Sequence, residues 1–192
     1  MPDLLADIML ARLLGLQKEL EDFAAKAELI DVNVKSLQTK QALARGEELV
    51  KIRAKIPETI KPLIEQIATL IEKVEHEQKF IETIPSQILA RAADATGDRL
   101  TAEERRALTE VIAQAVKRLA NYCRSLILFL KPFQEALKMA FFPTDIFAEF
   151  KNTFVIGVKL FPSWVERDKI ALLVPLREAE GFILTLSLSH KP

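Results

Sequence analysis

Residues that could hold a metal ion are concentrated on one stretch of predicted helix, where Glu72, Glu75, His76 and Glu77 lie close together. Di-iron bundles use a Glu followed three residues later by a His on each of two helices, with further Glu residues from two more. The residue three positions before His76 is Lys73, and residues 101–140 contain no histidine. The pattern therefore predicts no metal site and no cofactor.

Cys123 is the single cysteine, so the chain cannot form an intramolecular disulfide. A catalytic thiol needs a base, usually histidine, within reach. The two histidines are His76 and His190, and nothing in the sequence brings either of them to Cys123. Because Cys123 follows Tyr122 on an apolar helix face, the sequence predicts a buried and unreactive thiol.

Composition argues against several functional classes. The five glycines are scattered, and none belongs to a phosphate-binding loop. The 27 basic and 27 acidic residues give no net charge, whereas a nucleic-acid binder usually carries an excess of basic residues. No run reaches the roughly 18 apolar residues that cross a bilayer, and the N-terminus lacks the features of a signal peptide. We therefore predict a non-enzymatic, cytoplasmic protein with no nucleic-acid partner.

Three long seams of apolar residues would have to position any functional group. In each seam the apolar residues recur at alternating steps of three and four, which is typical of coiled-coil packing. The seams run from Met9 to Leu37, from Ile60 to Ile88 and from Leu108 to Ala140. They predict helices over residues 4–55, 57–94 and 101–141, with a bend near Gly46 and a boundary at Pro57, which disfavours helical geometry at the preceding residue.

Glu77 is the one charged residue in the second seam. A buried carboxylate is costly unless it is paired or protonated. Three interpretations are open. Glu77 could handle a proton or recognise a polar group, or it could set the register of the helices as single polar residues do in coiled coils. Alternatively, the pattern slips locally, so that Phe80 is buried and Glu77 reaches water.

The pattern changes beyond residue 143. Thr144 could cap a short helix, and three short apolar segments follow at 153–161, 169–175 and 182–189. The last of these alternates strictly between apolar and polar residues, which favours a strand. We therefore predict a small β-hairpin or meander in this part of the chain, with a helical tail as the alternative.

Aromatic residues crowd the same part of the chain, since 11 of the 13 lie at or after Tyr122. They could form the core that joins the third helix to the tail. Alternatively, they could expose an apolar surface for a partner or a membrane interface. The residues assigned to such a contact are Phe141, Phe142, Phe147, Phe150, Phe161 and Trp164.

These observations predict a mainly α fold. Residues 1–143 are expected to form an elongated antiparallel three-helix bundle or coiled coil, and 144–192 a small β-hairpin or mixed α/β appendage. The extra length of the first helix predicts a homo-oligomer, most simply a dimer. The favoured function is an interaction or scaffold protein that binds a partner through its heptad seams. The alternative is a membrane-acting, pore-forming-like protein that uses the apolar C-terminal segment, an analogy of architecture alone.

Overall fold

The computed structural model describes residues 3–138 and 156–190, apart from the side chains of residues 156–158 and 161. The described residues form four helices, which are α1 (Leu5–Leu43), α2 (Glu47–Thr96), α3 (Ala102–Lys138) and α4 (Ile156–Ser189). This stretch of the protein contains no strand. The prediction of a mainly α fold is therefore confirmed.

The chain divides into two compact units. The first unit comprises Met1–Leu16, Val74–Leu126 and Ser163–Pro192, and the second comprises Gln17–Lys73 and Ile127–Pro162. Each unit therefore includes parts of all four helices.

The core of the first unit is built from the predicted seams together with α4. Every side chain in this core is almost completely removed from solvent, and each such burial stabilises the fold by roughly 1.5–3 kcal/mol. Its members include Leu5, Met9, Leu13, Ile81, Ile84, Ile88, Leu108, Ile112, Leu172 and Leu176.

The core of the second unit follows the predicted seams on α2 and on most of α1, whereas the seam positions Phe129, Phe133 and Ala136 of α3 are only half-buried. Its buried members include Leu20, Phe23, Ala27, Val34, Ile52, Ile60, Leu63, Ile67, Leu70 and Leu130. In α1, however, the seam places Ile30 in the core, whereas the structure buries Asp31 and leaves Ile30 only half-buried. The apolar stripe therefore shifts by one residue at this point of α1.

The boundary between the first two helices was predicted wrongly. The break lies at residues 44–46, where Gly46 adopts a left-handed φ of 65°, and α2 continues through Pro57. A proline inside a helix costs about 3 kcal/mol because it removes a hydrogen bond and crowds the preceding turn. Burial of Ile52, Ile60 and Leu63 on both sides of Pro57 offsets that cost, and the sequence around Pro57 could not show it.

The predicted β-hairpin is also wrong. Residues 156–189, which include most of the first predicted strand and all of the other two, form α4. Read at helical spacing, the buried positions of α4 recur every three or four residues, at Val165, Asp168, Leu172, Leu176, Ala179, Ile183 and Leu186. The six-residue alternation near the end is compatible with a helix as well, because Leu184 and Leu188 are one helical turn apart as well as an even number of residues apart. It was therefore too short to outweigh the helical pattern of the whole segment.

Local capping explains where α2 ends and α3 begins. Gly97 has a φ of 61°, and the amide of Asp98 donates to the Ala93 carbonyl at 2.8 Å, which is the hydrogen bond of a Schellman motif. Thr101 and Glu104 form a capping box at the start of α3, because each accepts a hydrogen bond from the other's backbone amide, at 3.1 and 3.2 Å. Hydrogen bonds from His190 and Thr101 lower the pKa of Glu104.

The first turn of α1 is capped from α4. The amides of Leu5 and Ala6 donate to the two carboxylate oxygens of Glu180 at 2.9 and 2.7 Å. These amides have no partner within the helix, and the N-terminal end of a helix carries a partial positive charge. Glu180 therefore satisfies two donors and the helix dipole at once, across 175 residues of sequence.

Glu180→Ala is expected to lower the free energy of unfolding by about 1–2 kcal/mol, because it removes a charged cap from α1. Urea denaturation followed by circular dichroism measures the change. Glu178→Ala is the matched control, since Glu178 is exposed on the same helix, and is expected to change stability by less than about 0.5 kcal/mol. Equal effects of the two substitutions would contradict the cap.

Candidate functional site

Glu77 forms an ion pair within the first unit. Its carboxylate lies 2.9 Å from Nε of Arg12, and the Glu77 side chain is only 13% exposed. The Arg12 guanidinium also lies over the ring of Phe80, 3.8 Å from its centroid. Glu77 thus neither reaches water freely nor lies unpaired, and the arrangement agrees with a polar contact that sets the register of α1 against α2.

Cys123 is buried in the first unit. Burial, together with the negative charges of Glu77 and Glu82, raises the pKa of the Cys123 thiol to about 12. The thiol is therefore protonated at neutral pH, whereas the nucleophile in cysteine chemistry is the thiolate. Among the described residues, no group of three or more His, Cys, Asp or Glu side chains could hold a metal ion.

Asp31 is a buried carboxylate that the sequence analysis missed. Its Oδ2 atom lies 3.0 Å from Nζ of Lys35, one turn further along α1. Its Oδ1 atom has no hydrogen-bond partner in the described part of the chain. The signal that could have revealed Asp31 is the step of four residues from Ala27, which competes with the step of three to Ile30.

The aromatic residues assigned to a partner or membrane contact fall mostly outside the described residues. Phe141, Phe142, Phe147 and Phe150 lie there, as does the side chain of Phe161. Trp164 is exposed at the side of α4 and packs edge-on against Tyr122, with ring centroids 5.9 Å apart.

Exposed apolar side chains are unevenly distributed over the four helices. Of the 15 large apolar side chains that are exposed among the described residues, seven belong to α4. In contrast, α2 has 50 residues and contributes only Val50 to this set. The members on α4 are Leu160, Trp164, Ile170, Val174, Phe182, Leu184 and Leu188.

A groove of about 610 Å³ runs between α3 and α4 in the first unit. Its apolar lining consists of Val111, Ala115, Ala171 and Pro175, and its polar lining of Gln114, Lys117, Arg118 and Asn121. On α4, Ile170 and Val174 have exposed side chains, and each is followed in the sequence by a residue that lines the groove, Ala171 and Pro175 respectively. We call these ten residues, together with Trp164 and Arg167, the α3–α4 surface.

Two arginines at this surface share one buried carboxylate. Nη2 of Arg118 and Nε of Arg167 each lie 3.3 Å from Oδ1 of Asp168, which is itself buried. The two arginine side chains remain 57% and 65% exposed. Because one carboxylate faces two guanidinium groups, the cluster is left with a net positive charge that is accessible to a ligand.

The contacts along the α3–α4 surface show the relative direction of the two helices. Tyr122 contacts Trp164, Arg118 contacts Asp168, and Glu104 contacts His190. Residue numbers fall on α3 as they rise on α4, so the two helices run in opposite directions here.

No helix in the described part of the chain combines the length and apolar character needed to cross a bilayer. No protein-family model, curated protein or solved structure matches the chain.

Proposed function

We propose that this chain is a non-enzymatic interaction or scaffold protein, and that it binds a partner protein through the α3–α4 surface. The observation that carries the proposal is that three exposed apolar side chains of α4, those of Trp164, Ile170 and Val174, belong to this surface beside the groove. Scattered exposed apolar residues are normal on a protein surface, whereas a contiguous patch bordered by polar residues is typical of an interaction site.

The heptad seams support a different role from the one first assigned to them. Their members, including Leu13 and Leu20 on α1, are buried within their own units. A partner helix could reach them only if the packing opened, at a cost of several kcal/mol. Leu20→Asp would therefore disrupt folding and is a poor test of partner binding. The α3–α4 surface needs no such opening.

The test is proximity labelling with the full chain, comparing the wild type with Val174→Asp. Loss of a defined set of labelled proteins in the variant is expected, because a carboxylate at an apolar interface must be desolvated. Val50→Asp, an equally drastic change at an exposed valine of α2, is the matched control and is expected to keep the set. An identical set for both variants and the wild type would overturn the proposal.

A homodimer is proposed as part of the same function. The first helix ends at Leu43 and not at residue 55, so its length no longer supports a dimer. Its present support is the exposed apolar surface of α4, which a second copy could cover. Size-exclusion chromatography with light scattering is expected to give twice the 21.7 kDa chain mass, and a monomer across micromolar concentrations would contradict the dimer.

A membrane-acting function is the alternative proposal. Residues 156–189 form a helix and not the β-hairpin that motivated it. Its remaining support is the apolar outer face of α4, since an amphipathic helix can lie in a membrane interface. Flotation with neutral and anionic vesicles, together with dye leakage, tests it. Binding or leakage abolished by Val174→Asp would support this alternative, and absence of binding to both vesicle types would contradict it.

A further inference from the structure

We infer that the α3–α4 surface binds an acidic amphipathic helix of a partner protein. The inference rests on the proposed function and adds the chemistry of the partner. Three properties of the surface carry it, which are its charge, its hydrogen-bonding capacity and its shape.

The charge of the surface favours an acidic partner. Between residues 111 and 126, α3 carries three bases and no acid, and two of these bases, Lys117 and Arg118, line the groove, whereas Arg124 pairs with Glu82 of α2. The facing stretch of α4, residues 163–177, carries three bases and two acids. Both of these acids are already engaged, because Asp168 is buried against the two arginines and Glu166 pairs with Lys169 at 2.8 Å. Carboxylates of a partner would therefore meet accessible cations on both sides of the groove.

The backbone of the surface favours a helix over an extended segment. An extended peptide gains its affinity by pairing with the free edge of a sheet. The α3–α4 surface consists of two helices, whose amides and carbonyls are used within the helices themselves, apart from the Ala171 carbonyl, to which Pro175 has no amide hydrogen to donate. The lining residues from 111 to 121 extend over roughly 15 Å of α3, so about three turns of a partner helix match the groove.

The shape of the groove favours a helix over a bilayer or a nucleic acid. A flat membrane surface cannot match a groove whose lining is half apolar and half polar, whereas a helix can place apolar side chains at positions i, i+3, i+4 and i+7 on the apolar half. A nucleic-acid backbone would gain nothing from Val111, Ala115, Ala171 and Pro175. The predicted pairing places apolar side chains of the partner on these residues, and its acids beside Lys117, Arg118 and Arg167.

The experiment uses a display library of amphipathic 18-residue helical peptides with one shared apolar stripe. The flanking positions are acidic, basic or uncharged in three equal pools, and selection is made on the immobilised full chain. Enrichment of the acidic pool is expected. The affinity of the enriched acidic peptides for the chain is expected to fall about tenfold as the salt concentration rises, because salt screens the attraction between charges. Enrichment of the basic or uncharged pool to the same degree overturns the inference while leaving the proposed function standing.

Two variants locate the binding of an enriched acidic peptide. Lys117→Glu combined with Arg167→Gln is expected to weaken binding at least about tenfold, while Arg118 still pairs with Asp168. Arg53→Glu, at an exposed arginine of α2, is the matched control and is expected to leave binding unchanged. Unchanged binding in the double variant, with an unchanged thermal unfolding curve, overturns the location.

The remaining outcomes separate the two proposals. If no pool is enriched but proximity labelling still depends on Val174, the partner is not an acidic helix, and only the present inference fails. If no pool is enriched and proximity labelling is unchanged in Val174→Asp, both proposals fail. If Lys117→Glu with Arg167→Gln instead abolishes a dimer, or binding to anionic vesicles, while no peptide binds, the occupant is a second copy or a membrane, and the inference is overturned.

Discussion

Ile112→Ala is expected to lower the free energy of unfolding by about 3 kcal/mol. Ile112 of α3 is completely buried in the first unit and is one of the largest fully buried side chains. Truncation removes three buried carbon atoms and leaves a cavity that close-packed neighbours fill only in part, and such changes cost about 2–5 kcal/mol. Urea-induced unfolding, followed by far-ultraviolet circular dichroism, measures the change in midpoint and slope.

Val111→Ala is the matched control because it lies one residue earlier on the same helix and is 42% exposed. It is expected to change stability by less than about 0.5 kcal/mol, since the removed methyl groups remain largely in water and alanine favours the helix. A loss of similar size for both substitutions would show that the inward and outward faces of α3 have been assigned wrongly.

Glu77→Ala is expected to cost about 2 kcal/mol. The substitution leaves the Arg12 guanidinium at the side of Phe80 without its carboxylate, which lies 2.9 Å away in the native protein. Removal of one partner from a fully buried pair costs about 3–5 kcal/mol. The value is lower here because the Arg12 side chain is 26% exposed, so solvent screens part of the charge.

A double-mutant cycle separates the pair from its surroundings. Arg12→Ala combined with Glu77→Ala is expected to cost less than the two single changes together, because the second substitution removes no further ion pair. Glu72→Ala, at an exposed position of the same helix, is the control and is expected to be nearly neutral. Strictly additive losses would mean that Arg12 and Glu77 do not interact.

Arg12→Met combined with Glu77→Leu tests the role of the pair in specifying the fold. Replacement of an ion pair by apolar residues of similar size is often neutral or stabilising. If the pair sets the helix register, this variant is expected to keep its stability but to lose well-dispersed side-chain resonances in nuclear magnetic resonance spectra. Unchanged dispersion would show that the apolar seams alone define the register.

The interior of each unit could be predicted largely from the sequence. Positions such as Met9, Leu63 and Leu108 were assigned to the core from their spacing and are completely buried. The period of a helix is a local property, and side chains three and four residues apart lie on one face whatever the helix packs against. The capping box at Thr101 and Glu104 was predictable for the same reason, because all its hydrogen bonds lie within four residues.

The errors in helix and strand assignment arose where local signals compete. Pro57 disfavours a helix locally, yet the buried residues around it lie on one continuous stripe of α2. Leu184–Ser189 alternates like a strand, yet the whole of α4 buries residues at helical spacing. In both places long-range packing outweighed a short-range preference. A window of six residues contains the short-range preference but no information about the packing.

The sequence by itself determined that this is a mainly helical protein and which face of α1, α2 and α3 is apolar over most of its length, because both follow from the spacing of side chains along one helix. Only the tertiary structure decided which polar groups meet. Glu180 caps α1 and Asp168 holds Arg118 although 50 to 175 residues separate these partners. The α3–α4 surface is likewise a product of packing, since an apolar residue is left exposed only when no neighbouring helix covers it.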